Sequence, residues 1–440
     1  MKLNYRRTLL IGLAFLSICA FWQMYDSIVP LILQQTFHMN ETVTGAIMAV
    51  DNVLAVFLLP VLGSLSDRVD TKFGKRTPFI VVGTILAVIF MSVLPLADKK
   101  ENLVLFVAAL FFLLISMGLY RSPAVALMPD LTPKPLRSQA NAMINLMGTV
   151  GSVYTLILIS LLVSDDARPD YTPVFVGVAL IMVAAVALLV ITIREKKLAA
   201  EISEMEMEEA KRAAKAGGAD EKAAQKAALD AAKTKELAPE VKRSLIFILL
   251  TIFLWFMGYN AVTTAFSRYA RTVWGVTGGG FANCLMVATV SAIIGYVPIG
   301  QISAKIGRRK CILGGLALVL VSFTAAAFFT QYHPIINAGF VLIGLGSAAV
   351  TVNTLPMVVE MCRSGDVGKY TGLYYTFSMS AQIATPILSG AVMQYISYRA
   401  LFPYCALFVV LAMLTVGLVK HGDNKPEAKK TLLENFDVED

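Results

Sequence analysis

The chain is 440 residues long, 57% of them apolar and only 15% charged, with a formal net charge of +8. A soluble domain needs far more surface charge, so the composition excludes a soluble enzyme or a string of soluble domains. The excess of positive charge is read as contact with anionic lipid rather than with nucleic acid.

Apolar runs long enough to cross a hydrocarbon core, about 20 residues each, recur along the whole chain. They predict twelve transmembrane helices, at 8–33, 43–66, 78–97, 102–128, 138–163, 172–194, 244–267, 280–304, 311–330, 334–359, 369–395 and 398–420. The runs are continuous rather than alternating, so the fold class is an all-α membrane bundle rather than a β-barrel. Lys2, Arg6 and Arg7 precede a first run of more than 20 residues without a small-residue cleavage site. That pattern reads as an uncleaved first helix. Most Lys and Arg fall on the side of the N-terminus, which predicts a multi-pass cell-membrane protein with both termini cytoplasmic.

In chain order, helix 1 carries Trp22, Tyr25 and Asp26 at i, i+3 and i+4, hence on one face. Asp26 falls roughly 10 Å inside its outer end and Asp51 of helix 2 roughly 12 Å, at 1.5 Å per residue. Arg121 in helix 4 is the third ionisable residue away from the predicted helix ends, placed toward the cytoplasmic half. A charge at such depth costs about 2.5–3.5 kcal/mol on the insertion scale, so functional use is the default reading. Two nearby carboxylates at low dielectric do not both ionise cheaply, which leaves one able to hold a proton. Asp26 and Asp51 are therefore the candidate ion-coupling residues. Candidate substrate-binding residues are Arg121, Trp22, Tyr25, Tyr120 and Asn145 in the first half. In the second they are Trp255, Tyr259 and Asn260 on helix 7, Asn353 on helix 10, and Tyr375 and Gln382 on helix 11. Polar stripes in membrane helices must face protein or water. Helix–helix hydrogen bonding and interfacial aromatic belts are the competing explanation for each.

After helix 2 comes Gly63-Ser-Leu-Ser-Asp67-Arg68, then Gly74-Lys75-Arg76. After helix 8 comes Gly300-Gln-Ile-Ser-Ala-Lys305-Ile-Gly307-Arg308-Arg309-Lys310. The echo predicts two six-helix pseudo-repeats with a site between them. The expected domains are 1–194, a charged Ala/Lys/Glu-rich cytoplasmic linker at 195–243, 244–420, and a tail at 421–440. The linker reads as solvated and helical, broken at Gly217 and Gly218, with Glu221/Gln225 and Lys222/Lys226 one turn apart. Gly63 permits close approach of a neighbouring helix, and Asp67 is placed to accept bonds from the next helix's free N–H groups or to pair with a base. Gly63, Asp67, Arg68, Lys75 and Arg76 together form a candidate conformational latch between the halves.

The loop at 63–76 resembles the signature between helices 2 and 3 of the major facilitator superfamily. Tyr120-Arg-Ser-Pro123-Ala-Val-Ala-Leu-Met-Pro-Asp130-Leu, with Arg137-Ser-Gln-Ala-Asn141 and Gly74-Lys-Arg-Thr-Pro78-Phe-Ile, resembles the sucrose-transporter and glycoside–pentoside–hexuronide symporter branch. The resemblance implies a secondary transporter in which Arg121 with Pro123 has a substrate or coupling role, although the motif's second Arg is Val125 here. In melibiose-type members an acidic pair on helix 2 binds sodium. The matching positions here are Ala55 and Leu59, so a proton is the expected coupling ion.

The expected function is proton-coupled transport of a glycoside or small oligosaccharide by alternating access, with efflux of a drug or metabolite as the alternative. A receptor or scaffold that transports nothing fits the paired halves and buried charges poorly. Asp165-Asp166-Ala-Arg168-Pro-Asp170 resembles an acidic metal motif of membrane prenyl-transfer enzymes, but it occurs once, in a loop. No nucleotide-binding Gly-Lys-Ser/Thr loop occurs. The five cysteines, scattered singly, and three histidines in loops or tail suggest no metal site. No enzyme activity, cofactor, metal or nucleic acid is expected. The partners are a small-molecule substrate, a proton and membrane lipid, and the chain is expected to be a monomer.

Overall fold

The structure is a computed structural model, and residues 4–133, 136–166, 168–216, 238–361 and 367–423 are described. Thirteen α-helices lie in these residues: α1 Tyr5–Gln35, α2 Glu41–Arg68, α3 Thr77–Lys99, α4 Leu103–Asp130, α5 Arg137–Leu162, α6 Thr172–Thr192 and α7 Glu195–Ala216, then α8 Pro239–Thr272, α9 Phe281–Ile306, α10 Arg308–Phe328, α11 Ile336–Glu360, α12 Val367–Tyr395 and α13 Leu401–Gly417. Among the described residues eleven helices are long and apolar enough to cross a membrane, and α12 has 29 residues. Large apolar side chains such as Val104, Ile191 and Phe328 are about four-fifths exposed on the bundle surface. Lipid is the solvent that tolerates such a surface.

Local chemistry sets the helix ends. Asn4, Asn40 and Asn102 accept bonds from the N–H groups of Arg7, Val43 and Leu105, capping α1, α2 and α4. Proline stands in the first turn of α3, α6 and α8, where its missing N–H costs nothing. Gly307, at φ +96°, separates α9 from α10 in a conformation that favours glycine.

Helix pairing repeats. In the first six helices α1 packs on α5 and α6, α3 on α4 and α6, and α2 on α4. In the last six, α8 packs on α12 and α13, α10 on α11 and α13, and α9 on α11. These are the same five pairings, shifted by one half. Between the two sets, α2 meets α12, α5 meets α9 and α1 meets α8. The approach is closest on the face opposite the termini. A Cβ at Gly45 would stand 2.0 Å from the Pro386 carbonyl oxygen, and one at Gly279 1.9 Å from that of Ile159. Glycine alone allows these crossings.

Two expectations change. The predicted linker is not solvated along its first part: α7 returns to the bundle, with Glu195 and Ile202 buried and Leu198 packed on the core. Its apolar residues at 198 and 202 lie one turn apart, enough to dock the helix. The predicted break at Gly217 and Gly218, the pairs at 221–226 and the tail beyond 423 lie outside the described residues. The seventh membrane helix, expected at 244–267, runs as α8 to Thr272, so Arg268 is helical and buried rather than in an outer loop.

Candidate functional site

Asp26, Asp51 and Arg121, from three different helices, line one cavity of about 200 Å³. Trp22 of α1, Asn52 of α2, Asn260 and Thr264 of α8 and Gln382 of α12 complete its polar wall. Arg121 thus lines the same cavity as both carboxylates, a meeting that its place in the sequence left open. Asn52 Nδ2 donates to Asp51 Oδ1 at 2.8 Å. The Arg121 guanidinium carbon lies 5.8 Å from the Trp22 ring centroid, a cation–π distance. Trp22 Nε1 and Asn260 Nδ2 are buried donors with no hydrogen-bond partner among the described residues. A buried donor left unpaired costs about 1–3 kcal/mol, and a ligand oxygen in the cavity would remove that cost.

A second cavity of about 370 Å³ adjoins the first, and Trp22, Asp26 and Thr263 line both. Tyr259, Gln23, Ser152 and Thr289 add polar groups, and Val262, Leu285, Ala288, Phe340 and Ile343 form an apolar wall.

Other candidates lie elsewhere. Tyr25 is buried, its hydroxyl directed at the Met48 carbonyl at 3.5 Å, and Trp22 beside it faces the cavity instead. Tyr120 donates to the Ala14 carbonyl at 2.9 Å and bonds Ser17, tying α4 to α1. Trp255 is buried and stacks on Tyr259 at 5.1 Å, so it supports a cavity residue. Asn353 bonds Ser303 and donates to the Ala349 carbonyl at 2.8 Å, joining α11 to α9. Asn145 and Tyr375 line neither cavity; Tyr375 meets Tyr374 edge-on at 5.4 Å.

The signature loop forms a closed network. Arg76 reaches Asp67 at 2.5 Å and Asp130 at 2.9 Å, and bonds Ser66. The free N–H groups at the start of α3 are taken by Glu195 rather than Asp67: its carboxylate accepts from the N–H of Lys75, Arg76 and Thr77 at 2.7, 2.8 and 2.7 Å. Arg68 and Lys75 are exposed, and a Cβ at Gly63 would meet Ser122 Oγ at 3.0 Å. The described partners of Arg76 all belong to the first half and α7. The second half echoes the pattern. Arg308 pairs with Glu360, and Asp423 Oδ1 accepts from the N–H of Arg309 at 2.8 Å. The acids Glu195 and Glu360 escape sequence reasoning because they stand at helix ends, where acids are common, and Asp423 because it lies in the tail beyond α13.

The acidic loop is structural too. Asp170 pairs with Lys99 at 2.9 Å and accepts from the Thr172 N–H at 3.0 Å, at the start of α6. Partial burial pushes its carboxyl up, but bonds from Thr172 and Lys99 outweigh that and hold it below the usual carboxylate value. Among the described residues no group of His, Cys, Asp and Glu is arranged to hold a metal ion.

One buried ion pair lies outside every sequence-derived candidate. Arg268 Nη1 of α8 stands 3.1 Å from Glu41 Oε2 of α2, with both side chains at most 5% exposed. Tyr398 donates to the same carboxylate.

The model of the Major Facilitator Superfamily matches residues 11–305 and 269–436. Among curated relatives, the chain is 31% identical over 113 residues to the sucrose transport protein SUC4 of Arabidopsis thaliana, covering 22% of each protein. It is 26% identical over 143 residues to the MFS-type transporter ppzB of Metarhizium rileyi (strain RCEF 4871), covering 32% of this chain and 29% of that one. It is 24% identical over 186 residues to the multi-drug resistance efflux pump PmrA homolog of Lactococcus lactis subsp. lactis (strain IL1403), covering 41% and 46%. Each alignment spans less than half of the relative's length. Among solved structures, the nucleoside transporter NupG superposes with a TM-score of 0.68 at 14% identity, covering 94% of this chain and 100% of that one. A POT family transporter in complex with 5-aminolevulinic acid gives 0.67 at 12%, covering 94% and 95%. These two likenesses establish the fold.

Proposed function

The chain belongs to the Major Facilitator Superfamily, and from that premise we propose that it is a secondary active transporter moving a glycoside or small oligosaccharide together with a proton by alternating access. The observation that carries the reading is the meeting of Asp26, Asp51 and Arg121 with Trp22, Asn260 and Gln382 around one cavity. Aromatic faces stack on the C–H patches of a sugar while amides and guanidinium bond its hydroxyls. Trp22 Nε1 and Asn260 Nδ2 offer such bonds without giving up an existing one.

In this scheme Asp26 or Asp51 takes a proton when the cavity faces the proton-rich side and gives it up on the other. Arg121 beside them neutralises the carboxylate that stays charged and holds substrate oxygens. The termini lie in the cytoplasm, the two six-helix halves rock about the cavity, and α7 with the signature loop braces the first half. The monomer is the working unit.

Efflux of an amphipathic compound is the second reading, favoured by the apolar wall of the adjoining cavity and by the likeness to an efflux pump. Uptake of a labelled sugar panel into proteoliposomes, with and without an imposed pH gradient, separates the two. Sugar accumulation that follows the gradient supports the first; dye transport without any sugar movement supports the second.

A further inference from the structure

Three helices carry a polar stripe from the cavity to the face opposite the termini. On α8, Asn260, Thr264 and Arg268 recur every fourth residue. The first two line the cavity, and Arg268 Nη2 donates to the Thr264 carbonyl at 3.3 Å. On α2, Asp51 and Met48 line the cavity, while Thr44 and Glu41 follow on the same face toward the surface. On α12, Gln382 and Pro386 line the cavity, Gly390 abuts the Glu41 backbone, and Gln394 Oε1 accepts from Thr42 Oγ1 at 2.7 Å. Where the stripes converge, Glu41 pairs with Arg268 and accepts from Tyr398. Just outside lies an open hollow of about 800 Å³ to which Glu41, Gln394 and Tyr398 also contribute.

The seam is polar yet poorly paired. Thr44 Oγ1, Ser267 Oγ and Arg268 Nε are buried without a hydrogen-bond partner among the described residues. Unpaired buried polar groups cost folding free energy and call for an explanation. A surface that is wet in a second conformation supplies one. A buried ion pair is likewise a poor stabiliser next to an apolar contact, and its best-attested use is in a switch or register.

We infer that Glu41, Arg268 and Tyr398 close the substrate pathway on the face opposite the termini, and that Thr44 and Ser267 line that pathway when the closure opens. The inference rests on the alternating-access reading but not on the identity of substrate or ion.

The test uses the full-length protein in right-side-out vesicles, with its five native cysteines replaced, and a membrane-impermeant maleimide applied from that face. Thr44→Cys reports on the seam. Thr155→Cys, buried within the first half between α1 and α5, is the control. Glu41→Gln should speed labelling at position 44 at least fivefold and leave position 155 unchanged. The neutral pair Glu41→Gln with Arg268→Gln, which leaves no lone buried charge, should do the same. A disulfide between Thr42→Cys and Gln394→Cys should stop labelling at 44 and, once reduced, restore it. Unchanged labelling at 44 in both the single and paired variants overturns the inference. So does an equal rise at 44 and 155, which marks general loosening.

Discussion

The Arg121 guanidinium lies 5.8 Å from the centre of the Trp22 ring, and both line the cavity that holds Asp26 and Asp51. The face of Trp22 and the two carboxylates together offset the cost of placing a guanidinium at membrane depth. Arg also presents five donors in a fixed fork, which Lys does not. Arg121→Lys should therefore keep the protein in the membrane and lower sugar transport at least tenfold, while dye efflux, if present, stays near wild type. Parallel assays on a sugar panel and a cationic-dye panel check this. Equal dye export by both proteins with no sugar movement would favour the efflux reading.

Asp26→Asn and Asp51→Asn each keep a polar side chain that bonds substrate but cannot cycle a proton. At least one of them should abolish accumulation against a gradient while leaving substrate exchange at equal concentrations. Counterflow and pH-driven uptake, measured on the same vesicles, separate these two activities. Full accumulation by both variants rules out the coupling role.

Asn260 and Asn353 should behave differently, although both are amides in apolar helices. Asn260 Nδ2 is buried beside the cavity without a partner among the described residues, whereas Asn353 joins α11 to α9 through Ser303. Asn260→Ala should raise KM several-fold with little change in thermal stability. Asn353→Ala strands the Ser303 hydroxyl and should lower stability by about 1–3 kcal/mol, with KM nearly unchanged. Thermal unfolding in detergent alongside transport kinetics reads both.

Glu195 sits outside the membrane bundle's centre yet takes three backbone N–H groups and the Thr77 hydroxyl. Glu195→Gln loses the charge and turns a donor toward donors. It should cost about 1–3 kcal/mol and lower the unfolding temperature, with no change in substrate selectivity. Asp423→Asn should show a smaller effect, since Asp423 Oδ1 takes a single N–H, that of Arg309.

The twelve spans were legible because a run of about 20 apolar residues is a signal of composition. Asp26, Asp51 and Arg121 stood out for the complementary reason, that charge in such a run is rare. Helix rotation was harder to read. Trp22 and Tyr25 share a face in sequence, but Trp22 lines the cavity and Tyr25 packs inside the first half. Asn353 looked like Asn260 until its partners were known. Glu41 and Arg268 were hidden by two short end-extensions: α2 starts at Glu41 instead of 43, and α8 continues to Thr272 instead of 267. Charges at helix ends draw no notice, and only the packing of α2 against α12 and the Glu41–Arg268 contact across to α8 show that these two are buried.

The central claim is that one cavity couples a proton to a sugar through Asp26, Asp51 and Arg121. Uptake of a labelled glycoside panel into proteoliposomes under an imposed inward proton gradient, with a protonophore control, tests it most directly. The account predicts that at least one sugar accumulates above equilibrium, that the protonophore collapses the accumulation, and that Asp26→Asn or Asp51→Asn prevents it. Sugar that only equilibrates whatever the gradient, or no sugar transport at all by protein that moves dyes, would contradict it.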